Sequence, residues 1–258
     1  QLHNFLPKDS IYTLSANIAA KGQGVDITSR RTFADLKAKL DELQYARWNV
    51  SGVDLTAGLK ASVATIHLTS DNVLLKMQTD ADMRLDRKYM DGKLDMNVEN
   101  LNLHKLGIAP KPLEHPFGFR LGAEARHDSI KLKMDAGDMD FQFRARSTLK
   151  KLLEQSDEFV TILMKQWDEK RLDHAALRRV LPSAGMQLTA KQQNPVSYFL
   201  KTKDISFNDF TFRFGSTPTR GINGRTAIHG LRMDSLQLDT VFLAIKQDTT
   251  RMALQGGV

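Results

Sequence analysis

The sequence predicts a mainly β protein with an amphipathic helical insert, its strands forming either a curved antiparallel sheet with an open groove or a closed β-sandwich. Three observations predict it. From Asn72 to Gly107 apolar residues occupy alternate positions: Val73, Leu75, Met77, Ala81, Met83 and Leu85 share one parity, and Leu94, Met96 and Val98 share another. A period of two gives each strand one apolar and one polar face, the pattern of a half-buried antiparallel strand. The alternation also changes phase abruptly, as where Leu59, Ala61 and Val63 give way to Ala64, Ile66 and Leu68. Finally, a single stretch, Ser147 to Leu181, switches to helical spacing.

The first region, residues 1–146, reads as repetitive β structure. Asp91-Gly92 is the signature of a two-residue hairpin, because both positions of a type I′ turn need positive φ, and Ser70-Asp71-Asn72 is a weaker turn signal. Two internal echoes occur. Gly24-Val25-Asp26-Ile27-Thr28-Ser29 resembles Gly52-Val53-Asp54-Leu55-Thr56-Ala57, and Ala34-Asp35-Leu36-Lys37-Ala38 resembles Ala57-Gly58-Leu59-Lys60-Ala61. Their offsets differ, so the repeat is degenerate, and it points to stacked β units. A second phase slip falls between Ile130, Leu132, Met134 and Met139, Phe141, Phe143, around Gly137-Asp138. Each slip would send a strand's side chains to the wrong face unless a bulge or turn absorbs it, so the sheet is expected to bend.

Residues 147–182 form the helical insert. Leu149, Leu152, Leu153, Val160, Leu163 and Trp167 lie on one stripe, with Lys150, Lys151, Glu154, Asp157 and Lys165 elsewhere. Ser147 is the expected N-cap, Lys170-Arg171 ends the first helix, Asp173 caps a second and Pro182 stops it. The stripe suits a plug across one end of the sheet or, functionally, an amphipathic gate or membrane-touching surface. Residues 183–258 continue the sheet as a C-terminal β region, entered through a looser stretch around Gln192 to Pro195, with Asn223-Gly224 as a further hairpin signal.

Composition bounds the class. The chain is 41% hydrophobic and 26% charged, enough apolar content for a core or an apolar lining, so disorder is not expected. Absence of cysteine excludes a disulfide scaffold and a thiolate metal site. No run approaches the roughly 18 apolar residues of a membrane span, so any anchor is expected outside this segment. The net charge of +7 favours anionic partners, but acids alternate with bases, as in Lys37, Lys39, Asp41 and Glu42, and no aromatic ladder accompanies them. Nucleic acid is therefore not an expected partner.

The chemistry of catalysis is sparse. No Gly-x-Ser-x-Gly elbow, phosphate loop or His-Glu-x-x-His is present, and Gly22-Gln-Gly24 lacks the rest of a dinucleotide fingerprint. The seven histidines are dispersed. Asp80, Asp82 and Asp86 sit on the polar parity of a strand; Asp135, Asp138 and Asp140 surround a turn without the order of an EF-hand. The chain is expected to be no enzyme, with no cofactor, no metal and no catalytic residue. What remains is an aliphatic face that needs cover, at a cost on the order of 25 cal/mol per Å² if left wet. A second sheet or acyl chains in a trough bury the same alternate residues, and periodicity does not separate the two.

One stretch carries a resemblance. Gly92-Lys-Leu-Asp-Met-Asn-Val-Glu-Asn-Leu-Asn-Leu-His-Lys-Leu-Gly107 resembles the recurring unit of AsmA-like envelope proteins, and Gly221-Ile-Asn-Gly-Arg-Thr-Ala-Ile-His-Gly-Leu-Arg-Met-Asp-Ser-Leu236 resembles repeats of their TamB-like members. The resemblance covers about two thirds of the chain; the helical insert has no counterpart in the simple repeat. It implies a U-shaped or taco-like sheet in a periplasmic segment of an inner-membrane-anchored envelope protein. It also implies transport of phospholipid toward the outer membrane and, with an outer-membrane barrel protein of the assembly type, outer-membrane biogenesis. On that reading the expected acyl-chain contacts are Leu36, Ala38, Leu40, Leu59, Val63, Val73, Leu75, Met77, Leu94, Met96 and Val98. The alternative is a closed β-sandwich scaffold for outer-membrane protein assembly that holds no lipid.

Overall fold

The computed structural model describes residues 11–45, 48–85, 90–249 and 251–258. The protein is mainly β, its strands paired antiparallel in a sheet that does not close into a barrel, with a few helices. Apart from residues 89–91, which group with the second unit, it divides at Arg120/Leu121 into two units.

The first unit contains β1 (Ile11–Gln23), β2 (Phe33–Tyr45), β3 (Trp48–Val50), β4 (Val53–Lys60), β5 (Val63–Asp71), β6 (Leu75–Leu85) and β7 (Met90–Leu101). The order is β1-β2-β4-β5-β6-β7, with the short β3 beside β2. Asp26 builds the β1–β2 connection: its carboxylate accepts from the Thr28 N–H and hydroxyl, and its carbonyl accepts from the Thr32 hydroxyl. The stretch Gly24 to Ser29 is therefore loop, whereas its echo from Gly52 lies mostly in β4, so the echo is not a structural repeat. Ala61 and Ser62 both have positive φ, at 50° and 64°. They form a two-residue hairpin between Lys60 and Val63, and this turn is what absorbs the first phase slip.

Asp91-Gly92 is no turn; both residues lie in β7, and the segment before it is outside the described residues. Gly92 serves a close approach instead: a Cβ there would sit 2.7 Å from the Asp82 carbonyl oxygen. The chain does turn at Asn72, whose side chain accepts from the Leu74 N–H, while the Ser70 hydroxyl donates to the Leu75 carbonyl. After β7, Asn102 accepts the Lys105 N–H, and the chain reverses through Gly107 at φ 76°. Leu103 and Ala109 in that reversal are buried, as are Leu74 and Val98, and these four are the buried apolar residues of this unit among the described residues.

The second unit contains β8 (Phe119–Arg126), which starts at the division, β9 (Ser129–Ala136), β10 (Met139–Ala145), α1 (Leu149–Asp168), α2 (His174–Arg179) and β11 (Ala184–Ala190). Then come α3 (Pro195–Lys201), β12 (Ile205–Ser206), β13 (Asp209–Thr217), β14 (Gly221–Met233), β15 (Leu236–Gln247) and β16 (Met252–Gly257). The order is β8-β9-β10-β11-β13-β14-β15-β16, with β12 on β14. Strand β10 pairs with β11 from Asp140 opposite Thr189 to Ala145 opposite Ala184, so the helical insert is an excursion between neighbouring strands. The second phase slip is the Gly137-Asp138 hairpin, with Gly137 at φ 62°. Asn223-Gly224 lies inside β14 and makes no turn. Its glycine leaves room for the Phe214 ring and the Ile245 side chain, 3.3 and 3.0 Å from where a Cβ would stand.

The insert departs from its expected packing. Thr148, one residue beyond Ser147, caps α1 by accepting the Lys151 N–H, and Asp173 caps α2 through the Ala175 and Ala176 N–H groups. Leu153, Val160, Leu163 and Trp167 are exposed and Leu149 and Leu152 half-buried, so most of the stripe read from the sequence faces solvent. α2 lies over the sheet. Leu177 and Leu181 are fully buried, and the Gln247 amide donates to the His174 carbonyl at 2.6 Å.

Candidate functional site

Residues directly opposed in an antiparallel ladder point to the same face. In the first unit Ile18, Ala38, Leu55, Leu68 and Thr79 form one such row across β1, β2, β4, β5 and β6. Ala20, Leu36, Ala57, Ile66 and Ala81 form the next, and Ala16, Leu40, Val53, Ser70 and Met77 the row on its other side. A fourth holds Gly22, Ala34, Leu59, Ala64 and Met83. Four registered rows thus make one aliphatic face, five strands wide, without an aromatic or charged side chain.

This face is only partly covered. Ile18 is 69% exposed, Ile66 44% and Met83 37%, whereas Val98 on β7 is 3% exposed. Among the described residues of this unit there is no second sheet over β1 to β5. Contiguous apolar surface of this kind marks an interaction site in a protein that lives in water.

The opposite face is polar and carries mixed charge. Lys21 pairs with Asp35, His67 with Asp80, and Lys76 with both Asp71 and Glu99. The hydrogen bond from His67, helped by Gln78, holds the Asp80 carboxyl below its usual range, and hydrogen bonds with Asp71 and Glu99 hold the Lys76 ammonium above its own. These groups are solvated, so they keep the face wet and add little stability.

The predicted contacts divide accordingly. Leu36, Ala38, Leu40, Leu59 and Met77 stand on the aliphatic face in register, and Leu75 shares Met77's parity on β6. Leu94, Met96 and Val98 stand opposite in parity to Glu99, whose bond to Lys76 fixes it on the polar side; Val98 is buried. Val63 is on the polar face, opposite Lys60 and Arg84, because the Ala61-Ser62 hairpin resets the parity. Val73 is in the bend between β5 and β6, not in a strand, because Asn72 turns the chain there. Leu55, Ile66, Leu68, Ala81 and Met83 belong to the face and were missing from the expected set. Their signal was present in the alternation of each strand, but linking strands required the turn.

The acidic cluster around Gly137 has a structural task. Asp138 accepts from the Lys191 and Gln193 N–H groups and from the Asn194 amide, tying the β9–β10 hairpin to the start of α3. Burial pushes its carboxyl up, but those hydrogen bonds outweigh it and hold the group below its ordinary value. Asp135 pairs with Lys133, and Asp140 accepts from Gln142. Among the described residues no three His, Asp or Glu side chains gather as a metal site, and no helix is long and apolar enough to cross a membrane.

The second unit has its own apolar face. Leu132, Phe143, Met186, Phe214 and Ile245 share it, and Met134, Phe141, Leu188, Phe212 and Leu243 form the adjoining row. At one end α2 and the segment after it close over it, with the Ser216 hydroxyl donating to the Pro182 carbonyl. This face is thus aromatic and capped where the first unit's is aliphatic and open. No protein-family model, curated protein or solved structure matches the chain.

Proposed function

We propose that this chain is a lipid-handling segment of a periplasmic, inner-membrane-anchored envelope protein, in which the open aliphatic face of the first unit holds phospholipid acyl chains on their way to the outer membrane. The observation that carries the reading is the set of four registered aliphatic rows, only partly covered, backed by a charged reverse face. An acyl chain supplies the missing apolar cover without asking for hydrogen bonds, and the absence of polar side chains apart from Thr79 and Ser70 lets it slide. The resemblance to TamB-like repeats supplies the direction of transport and the expected outer-membrane barrel partner. No catalytic residue or cofactor enters this reading.

The test is native mass spectrometry of the purified chain, followed by organic extraction and lipid analysis. Retained phospholipid at a reproducible stoichiometry, lost when Ile66→Asp or Leu36→Asp places a charge on the face, supports the conduit. A folded chain that carries no lipid and takes none from vesicles sinks it. The α2 cap over the second unit's face favours, in that event, the scaffold reading: a protein that presents sheet surface to outer-membrane protein clients and holds no lipid.

A further inference from the structure

We propose that the polar face of the second unit holds a second site, a cradle over Gly215 for a ligand bearing two or more phosphate groups. The register builds it. One row across β9, β10, β11, β13, β14 and β15 reads Lys131, Arg144, Gly185, Gly215, Asn223 and Lys246. Its neighbour places Gln187, Arg213, Arg225 and Ala244 side by side. The two glycines remove side chains from the middle of a basic row, leaving a floor of bare backbone with cations on either side. A Cβ at Gly215 would meet nothing within 4 Å, so the floor is open.

A cavity of about 580 Å³ lies here, lined among others by Arg213, Arg220, Arg225 and Lys246. A neighbouring one of about 480 Å³ adds Lys131, Arg144 and Arg146, and both touch Ala184, Ser216 and Thr217. They open on the polar side, because the other face of these strands is filled at this end: Ser216, Ile222 and Gln247 are 4%, 5% and 1% exposed.

The charge is answered from within at one cation alone among the described residues. Neither cavity is lined by an Asp or Glu. Of the seven cations only Lys131 has an ion pair among the described residues, to Glu124 at 3.7 Å. Arg213 stands directly opposite Arg225, a like-charge pairing that disfavours the sheet unless an anion sits between them. On the first unit's polar face, by contrast, Lys39 is set opposite Asp54.

Arginine dominates the rim, and its planar fork matches phosphate oxygens two at a time. The row spans five strand spacings, about 24 Å, too long for a single phosphate. Single-stranded nucleic acid fits less well, since Phe214 is the one aromatic among the lining residues and its ring is on the other face, in register with Met186. This site lies on the polar face and does not depend on the acyl-chain reading.

The test is titration calorimetry of the full chain with tripolyphosphate and with orthophosphate, alongside flotation on phosphatidylcholine vesicles with and without phosphatidylinositol bisphosphate. Saturable tripolyphosphate binding, at least about tenfold tighter than orthophosphate, is expected. Gly215→Ile fills the floor with every charge kept and is expected to weaken it about tenfold; Arg213→Ser with Arg225→Ser does so by removing charge, with the circular dichroism spectrum unchanged. Flotation only with the bisphosphate lipid assigns a headgroup as the source; soluble binding without flotation assigns a free phosphate ester. No saturable binding, equal affinity for orthophosphate, binding that survives both variants, or preference for single-stranded DNA would overturn the proposal.

Discussion

Two aspartates placed on one apolar face, at Ile66 and at Val98, distinguish an open face from a closed core. Ile66 is 44% exposed, so folding hides little more than half of its side chain. Of the ~1.5–3 kcal/mol that full burial of such a side chain contributes, about 1–1.5 is at stake. An aspartate in a strand forfeits up to about 1 kcal/mol more. Its carboxylate stays in water, so Ile66→Asp is expected to cost about 2 kcal/mol in total. Val98 is 3% exposed. There the full burial contribution is lost, and a carboxylate is forced into an apolar site with several kcal/mol of desolvation on top. Val98→Asp is therefore expected to cost about 5 kcal/mol or more, much of the 5–15 kcal/mol a folded domain typically has. Urea denaturation followed by far-ultraviolet circular dichroism gives both numbers. If Ile66→Asp destabilises as much as Val98→Asp, the face is covered in solution and the open-groove argument fails. If both are small, the turn after β7 does not form a core.

Two further substitutions probe single features. The Thr79 hydroxyl is buried in the aliphatic face with no hydrogen-bond partner among the described residues, so Thr79→Val is expected to stabilise by about 1 kcal/mol, read as a higher urea midpoint. Asp138 has a lowered folded-state pKa, so its contribution is present above the unfolded value near 3.8 and is lost as pH falls through the folded one. Asp138→Asn is expected to cost about 2 kcal/mol at pH 7. The gap between wild type and variant should close below about pH 4; a gap that persists at lower pH refutes the charge-assisted tie to α3.

Strand character was legible because alternation is local, and it named Leu36, Ala38, Leu40, Leu59 and Met77 of the aliphatic face from within their strands. What was not legible is how strands hand the face to one another. Ala61-Ser62 turns with two positive φ values despite having neither Gly nor Asn, so the parity reset after it was visible but could not be placed, and Val63 went to the wrong face. The reverse error came from glycine. Asp91-Gly92 and Asn223-Gly224 look like turns, yet Gly92 and Gly224 sit in strand interiors to admit a neighbouring backbone and a phenyl ring. The helix was read correctly in length, but its solvent side carries Leu153, Val160 and Trp167, and periodicity reports a stripe without saying what it faces. The basic cradle was invisible, since Lys131, Arg144, Arg213, Arg225 and Lys246 are scattered through the sequence and only register gathers them.

The composition of the aliphatic rows says what kind of cover suits them. Ala16, Ala20, Ala34, Ala38, Ala57 and Ala81 alternate with Leu, Ile, Val and Met across the strands, so the surface is shallow and smooth. A second sheet packs at native density only when side chains from both layers interdigitate, with large residues filling the gaps opposite small ones. The second unit supplies such bulk in Phe141, Phe143, Phe212 and Phe214, and there helical structure closes over one end of the face. The four rows of the first unit carry no ring across five strands, a width of about 19 Å at the usual strand spacing. A flexible chain of methylenes conforms to a floor of that shape without needing matched knobs, whereas a rigid partner would leave voids over every alanine. That asymmetry is why the open face is better suited to acyl chains than to a missing protein layer.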